Sequence, residues 1–370
     1  MRTQKILEGK TELIIPSLEY TPGVPGNSPV FFNPRMEFSR TVAVCCLNVL
    51  GKKLSVCDAL AASGARGLRY ANEVGNCVTL FDSNPEAVRL IKRNLKNLGL
   101  KGEAKKGDAN LLMAQGAMAH GGWDVVDLDP FAGPVPFLDS AAGSTKKFTM
   151  VTATDATVLC GVYPKKCLRY YGAVPLRNEL CHEIGLRILV GKVVREFAET
   201  DKGIEPLLSH ASDHFFRIVG KVKKGSEKAD NALENLGWVL FCECGSRKLV
   251  KGFVAREEKC KCGKKYGWYG PLWAGKLMDA EFCRKAAKFA GEYGKREEDF
   301  FSVVAEESKV DSLPYSVHEL GRGIKKEIKK TDEIVKSLKK SGFKACKSHL
   351  GKRPMIRTDA DLELKKFIFY

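Results

Sequence analysis

The residues best equipped for chemistry are Asp129-Pro130-Phe131, which close the run Trp123-Asp124-Val125-Val126-Asp127-Leu128-Asp129-Pro130-Phe131. An acid, a proline and an aromatic in that order can handle an exocyclic amino group. The carboxylate and a carbonyl oxygen accept its N–H bonds while the ring stacks on the attached base. The run is apolar from Trp123 and stops at carboxylates, the pattern of a buried parallel strand whose C-terminal end opens into a cleft. Ligands bind at such ends. The competing reading is packing alone, with Asp129 starting a turn, Pro130 shaping it and Phe131 in the core.

The upstream elements decide between these readings. Leu54 to Asp58 reads as a strand, and Ala59-Leu60-Ala61-Ala62-Ser63-Gly64-Ala65-Arg66-Gly67 as a small-residue turn into a helix, where free N–H groups and little side-chain bulk admit a ligand. The spacing is neither the G-x-G-x-x-G of dinucleotide binders nor a P-loop. The next strand, Val78 to Asp82, ends in an acid where a ribose-binding carboxylate belongs. Asn84 then caps a helix with Pro85 at its first position and Val88, Ile91, Leu95 and Leu98 on one face. A third strand ends at Gly107-Asp108-Ala109-Asn110. Strands ending in Asp58, Asp82, Asp108 and Asp129 predict a doubly wound α/β sheet. Acids in those places suit a ribose and an adenine amino group better than a pyrophosphate, which favours S-adenosylmethionine over NAD.

Ahead of the sheet, Glu12 to Pro16 reads as a strand and Thr21 to Pro29 as a Pro/Gly-rich loop, followed by Val30-Phe31-Phe32-Asn33-Pro34-Arg35-Met36 and a helix from Arg40 to Leu50. The two aromatics can form one wall of a base pocket or belong to the core.

Taken together, Ser28-Pro29-Val30-Phe31-Phe32-Asn33-Pro34-Arg35-Met36, Asp127-Leu128-Asp129-Pro130-Phe131, Thr152-Ala153-Thr154-Asp155 with Leu159-Cys160-Gly161, and Val174-Pro175-Leu176-Arg177-Asn178-Glu179-Leu180-Cys181-His182-Glu183 resemble the tRNA guanine-26 N2-dimethyltransferase family. The resemblance implies a Rossmann-like S-adenosylmethionine-dependent methyltransferase domain acting on the exocyclic N2 of guanine 26. It implies Arg40, Arg66, Asp82, Asp108 and Ala109 as cofactor-binding residues, Asp129 as the catalytic acid with Pro130 beside it, and Phe31 and Phe131 as base-holding aromatics. The family's Gly-Ser after Asp-Pro-Phe is Ala132-Gly133 here.

Composition agrees with a polyanionic partner. The 370 residues carry a formal net charge of +17, and clustered Lys and Arg gain free energy by releasing counterions from a phosphate backbone. Thirteen scattered cysteines and a start without a signal-peptide core predict a reducing cytoplasm. The apolar run Thr41 to Leu50 is far shorter than the roughly 20 residues a membrane span needs. No membrane and no obligate protein partner is implied.

Two further modules are expected. Cys242-Glu243-Cys244-Gly245 and Cys260-Lys261-Cys262-Gly263 are matched C-x-C-G pairs, suited to a tetrahedral structural Zn2+ held by Cys242, Cys244, Cys260 and Cys262 within 238–275. Cys160 and Cys181 are the nearest candidates for a cysteine nucleophile, and neither has an activating partner in the sequence. Asn178 to Glu199 reads as a long helix, His214 to Lys223 and Trp238 to Glu243 as strands. The catalytic domain is assigned to 1–283 and a smaller basic α+β domain to 284–370. From Gly321 to Arg353 there are twelve basic and three acidic residues. Helix Asp332 to Lys340, strand Phe343 to Lys347, basic turn Gly351-Lys352-Arg353-Pro354 and strand Met355 to Thr358 follow the plan of a winged-helix-like module laid on tRNA phosphates.

Three alternatives compete. One is another amino-group methyltransferase, acting on N6 of adenine or on protein glutamine. The second is a dinucleotide oxidoreductase, opposed by the missing glycine fingerprint. The third is a non-catalytic RNA-binding protein with a Rossmann-like domain, which leaves the strand-end acids unexplained.

Overall fold

A computed structural model describes residues 1–17, 29–254, 257–322, 324, 326–350 and 354–370, without the side chains of 361 and 362. Most of the expected Pro/Gly-rich loop, with Ser28, and the basic tip Gly351-Lys352-Arg353 lie outside the described residues. In chain order the first elements are β1 (Thr3–Glu8), β2 (Thr11–Pro16), α1 (Glu37–Leu50), β3 (Ser55–Asp58), α2 (Ala65–Arg69), β4 (Cys77–Asp82) and α3 (Pro85–Asn97). Then come β5 (Gly102–Lys106), α4 (Ala109–His120), β6 (Trp123–Leu128), α5 (Leu138–Ser144) and β7 (Thr145–Ala153). The remainder runs α6 (Ala156–Leu159), α7 (Pro164–Tyr171), α8 (Cys181–Ala198), β8 (Lys202–Ser212), β9 (Phe215–Lys224), α9 (Ser226–Leu233), β10 (Leu236–Phe241), β11 (Arg247–Lys251) and β12 (Gly267–Trp273). It ends with α10 (Ala280–Ala290), α11 (Lys295–Glu307), β13 (Tyr315–Ser316), α12 (Val317–Gly321), α13 (Thr331–Lys340), β14 (Ala345–Ser348) and β15 (Met355–Thr358).

A seven-stranded sheet has the order β5-β4-β3-β6-β7-β9-β8. Strands β3 to β7 are mutually parallel, and the order reverses between β3 and β6, the switch point where ligands bind in such sheets. Asp58 pairs in register with Asp127 across that switch. The expected α/β fold is therefore observed, with β9 extending the sheet while β10 joins a separate one. Sequence reading missed β1, a mostly half-buried strand, and β8, whose Pro206 is tolerated because the strand lies at the sheet edge.

The chain divides into two compact units. Unit 1 holds Met1–Thr152, Val219–Val222 and Lys285–Asp299; unit 2 holds Ala153–Ile218, Lys223–Arg284 and Phe300–Tyr370. In unit 1 the helix starts follow local chemistry: the Asn84 side chain accepts the Glu86 N–H at 2.9 Å ahead of Pro85, and Asp108 accepts the Leu111 N–H at 3.0 Å. In unit 2, β10 pairs antiparallel with β11 and with β12, and β15 pairs with β13 and β14. The second of these sheets packs with α13 around Ile334, Leu338, Ile356 and Leu364.

Unit 2 also contains a buried charge network. Glu183 on α8 accepts from Arg187 Nε at 2.7 Å and from Arg357 Nη2 at 2.6 Å; Arg357 Nε reaches Glu307 at 2.6 Å. Glu307 accepts further bonds from Ser348 Oγ and the backbone N–H of His349, and its Oε2 lies 2.5 Å from His349 Nδ1.

Candidate active site

The site lies in unit 1, where the C-terminal ends of β3, β4, β5 and β6 meet the helices that follow them. Asp129 leaves the end of β6 and Arg66 comes from the first turn of α2. Arg66 donates from Nε at 3.1 Å and Nη2 at 2.5 Å to Asp129 Oδ2, and from Nη2 at 3.3 Å to Ser39 Oγ on α1. The Arg66 side chain is 5% exposed and that of Asp129 23%, so the acid sits at the lip and the guanidinium behind it. Burial works against the Arg66 charge, but Asp129, Tyr70 and Asp127 outweigh it and hold its pKa above the usual value. Arg66 Nη1 is buried, makes no hydrogen bond of standard geometry among the described residues, and has the Tyr70 hydroxyl near it. Asp129, expected from the resemblance to be the catalytic acid, is thus already paired with an arginine expected to bind the cofactor.

The aromatics meet at the same lip. Phe131 is 70% exposed, and its ring lies edge-on to that of half-buried Phe31, with centroids 4.5 Å apart. Phe32 does not join them: it is buried under the Arg40 guanidinium, 5.0 Å from its ring centre. Pro130 is buried between acid and ring. Ala132, which follows, has φ +67°, a left-handed conformation that disfavours a side chain. This is the position where the related pattern has glycine, and here an alanine is held in the same turn.

Asp82 ends β4 half-buried and accepts the Ala62 N–H at 2.7 Å and the Asn84 N–H at 2.8 Å. Exposed Asp108 caps α4, with Ala109 buried behind it. Both carboxylates bond to backbone amides, which leaves further lone pairs for ribose hydroxyls and an adenine amine. Next to Ala109, Asn110 Oδ1 is buried without a hydrogen-bond partner among the described residues. An unsatisfied acceptor there and the incompletely bonded guanidinium of Arg66 fit a ligand bearing an amine at one end and a carboxylate at the other, as S-adenosylmethionine does. Arg40 is more committed: Nε reaches Glu8 at 2.6 Å, Nη2 bonds both the other Glu8 oxygen and the Asn33 carbonyl. Glu8 also takes Arg69 Nη1 at 3.1 Å, and Arg69 bonds Glu73 at 2.7 Å. These buried charges tie the β1–β2 hairpin to α1 and to the helical turn Tyr70–Val74.

The fourth strand-end acid has a different job. Asp58 is buried and its Oδ2 accepts the Gly67 N–H at 3.0 Å. Burial, then the charge of Asp127, pushes its pKa up to about 7. Asp127 is itself buried and accepts the Tyr70 hydroxyl at 2.6 Å. The small residues of the turn also answer to protein packing: a Cβ on Gly64 would lie 2.7 Å from Ile91 Cγ1, and one on Gly67 2.8 Å from Leu80 Cδ2. Ser39, Tyr70 and Asn110 are the site residues that sequence reasoning missed. Asn110 stands out in the sequence only as part of a strand end, and nothing there marks the other two.

In unit 2 the four cysteines expected to hold zinc converge. Cys242 Sγ is 3.5 Å from Cys262 Sγ, Cys244 Sγ is 3.5 Å from Cys260 Sγ, and all four sulfurs lie within 4.8 Å of one another. Zinc–sulfur bonds of ~2.3 Å place tetrahedral ligands about 3.8 Å apart, so the cluster has the size of a tetrathiolate ion site. Among the described residues no helix is long and apolar enough to cross a membrane.

The model of the N2,N2-dimethylguanosine tRNA methyltransferase family matches residues 9–368. The chain is 38% identical to the tRNA (guanine(26)-N(2))-dimethyltransferase of Pyrococcus horikoshii, over 97% of this chain and 96% of that one. It is 37% identical to that of Archaeoglobus fulgidus, over 90% and 93%. The solved structure of Trm1 from Pyrococcus horikoshii with S-adenosyl-L-methionine superposes with a TM-score of 0.85 at 36% identity, covering 99% of this chain and 100% of that one. With this site on this sheet, the chain belongs to the N2,N2-dimethylguanosine tRNA methyltransferase family.

Proposed function

We propose that the protein methylates the exocyclic N2 of guanine 26 in tRNA, once or twice, with S-adenosylmethionine. The observation that carries the roles is the lip itself: a carboxylate clamped by a buried arginine beside an exposed phenylalanine backed by a second ring. Guanine N2 is a poor nucleophile because its lone pair is delocalised into the ring. In this reading Asp129, with the Pro130 carbonyl, accepts the N2 hydrogens and draws that pair onto nitrogen, while Phe131 and Phe31 hold the flipped base. Arg66 fixes the orientation of Asp129 through Oδ2. S-adenosylmethionine, when bound, supplies the electrophilic methyl group. Asp82 takes its ribose, Asp108, Ala109 and Asn110 surround its adenine, and Arg66 Nη1 takes its carboxylate. Arg40 acts here through Glu8 and Asn33, holding the strip that carries Phe31. The proton lost from N2 passes to Asp129 after transfer.

Cys242, Cys244, Cys260 and Cys262 take one structural zinc ion, and the basic module around α13, β14 and β15 lies on the tRNA backbone. Incubation with S-adenosylmethionine and unmodified tRNA, followed by mass spectrometry of nucleosides and fragments, tests the assignment. Methyl groups on N2 of guanine 26 are expected; methylation confined to adenine, protein or another tRNA position would overturn it.

A further inference from the structure

Cys160, Cys181 and His182 have no part in the reaction just described, and unit 2 brings them together. Cys160 caps the end of α6, and Cys181 and His182 open the first turn of α8. The two Sγ atoms and a ring nitrogen of His182 all lie within 4.8 Å of one another. Cys181 Sγ is 3.5 Å from His182 Nδ1. Metal–sulfur and metal–nitrogen bonds of ~2.3 and ~2.05 Å separate tetrahedral S and N ligands by about 3.6 Å, so this edge already has the dimension of two ligands on one ion.

The donor set selects the ion. Two thiolates and an imidazole suit a borderline or soft cation and disfavour magnesium or calcium, which take oxygen ligands. Charge selects it too. The start of an 18-residue helix repels a bare dication, but two thiolates cancel its charge. Both cysteines are half-buried, so a neutral complex avoids leaving a charge in a partly desolvated place. We infer that Cys160, Cys181 and His182 form a second metal site, distinct from the four-cysteine cluster, which takes one zinc-class divalent cation with a water in the fourth position. Each cysteine thiol gives up its proton to solvent on binding.

The site has a place in the fold that gives it work. Cys160 and Cys181 stand at the two ends of the excursion 161–180, which carries α7 with exposed Tyr163, Lys165, Arg169 and Tyr170. An ion at its base closes that excursion as a loop, whatever the excursion binds.

The full-length chain is expressed in zinc-replete medium, purified anaerobically and analysed for metal. Cys160→Ser/Cys181→Ser is expected to lose one equivalent of zinc per chain, and Cys244→Ser/Cys262→Ser is expected to retain that equivalent. Cadmium-113 spectra of the substituted wild-type protein, which depend on no variant folding, are expected to show a mixed sulfur–nitrogen resonance beside the four-sulfur one. Unchanged zinc in the Cys160/Cys181 variant, a four-sulfur resonance alone, or a Cys160–Cys181 disulfide in the zinc-replete protein would overturn the assignment.

Discussion

Replacing Asp129 by Asn preserves shape and removes charge, and the geometry sets the cost. Arg66 presents two N–H donors to Oδ2 of this residue, so the amide turns its one oxygen to Arg66 and its NH2 to the substrate. A donor then faces the guanine amine, itself a donor. The lost hydrogen bond to a charged acceptor costs about 1.5–3 kcal/mol. Positive charge developing on N2 some 4 Å from the former carboxylate forfeits up to about 4 kcal/mol at an effective dielectric of 20. With partial charge transfer, the sum is about 3–6 kcal/mol, or roughly 10²- to 10⁴-fold in rate. Single-turnover methyl transfer from radiolabelled S-adenosylmethionine to saturating tRNA reads this directly, with cofactor affinity measured alongside. A rate within threefold of wild type at unchanged cofactor affinity would refute the role of Asp129. Arg66→Ala tests the clamp: because both variants break one unit, the double variant should fall well short of the product of the single losses.

Other consequences concern stability and RNA binding. Glu8→Ala leaves buried Arg40 without the acid that it bonds and Arg69 with Glu73 alone, and denaturant unfolding should show a loss of about 3–5 kcal/mol; a loss under about 1 kcal/mol would contradict the network. Although burial alone would raise it, Arg40 and Arg69 hold the Glu8 pKa below its usual value. Its contribution is therefore present above the unfolded carboxylate range and lost as pH falls through the folded value, so the difference between wild type and Glu8→Ala should shrink in acid. Asp58 has the opposite sign. With its folded pKa at about 7, ionisation costs stability progressively as pH rises from about 4 to about 7. Asp58→Asn, which keeps an acceptor for Gly67, should gain up to roughly 4 kcal/mol relative to wild type at pH 8 and nothing at pH 4; an equal effect at both would refute it. Lys339→Glu/Lys340→Glu/Lys344→Glu reverses exposed charges in the C-terminal module. It should raise KM for tRNA with kcat unchanged and flatten the salt dependence of binding by about three in slope; an unchanged slope would place the RNA elsewhere. Charge reversal is a cleaner test than truncation, which removes Arg357 from Glu183 and Glu307.

The sheet was legible because β3, β4 and β6 are short apolar runs that stop at acids, while Asn84-Pro85 and Asp108 announce helix starts by local chemistry; β5, mostly exposed, is marked only by the Asp108 that follows it. The aromatic wall was legible in part. Phe31 and Phe32 are indistinguishable in sequence, and only the alternation of the chain over Arg40 sends one to the core and the other to Phe131. What stayed hidden depends on pairings across distance. Arg66 and Asp129 were each read as answering to a ligand, and nothing in their spacing shows that they bond each other. Asp58 looks like its three counterparts, yet its neighbour across the switch point is Asp127, which makes it a buried acid serving a helix start. Glu8, Arg40, Arg69 and Glu73 come from four elements, one of them a half-buried strand with no clear apolar alternation. Cys160 and Cys181 were weighed singly as nucleophiles, and a pair 21 residues apart has no signature until the chain closes on it.

The bond between Glu183 and Arg357 spans 174 residues, and this separation governs when unit 2 can be completed. During synthesis α8 exists long before β15 does, and its acid, with Arg187 alone beside it, waits undercompensated until residue 357 has left the ribosome. By then α8 can already pack on β8, α9 and β12, so what the unfinished chain lacks is full neutralisation of Glu183 and not the seat of the helix. A premature stop ahead of β15 would leave a half-neutralised carboxylate inside a helix made half a chain earlier.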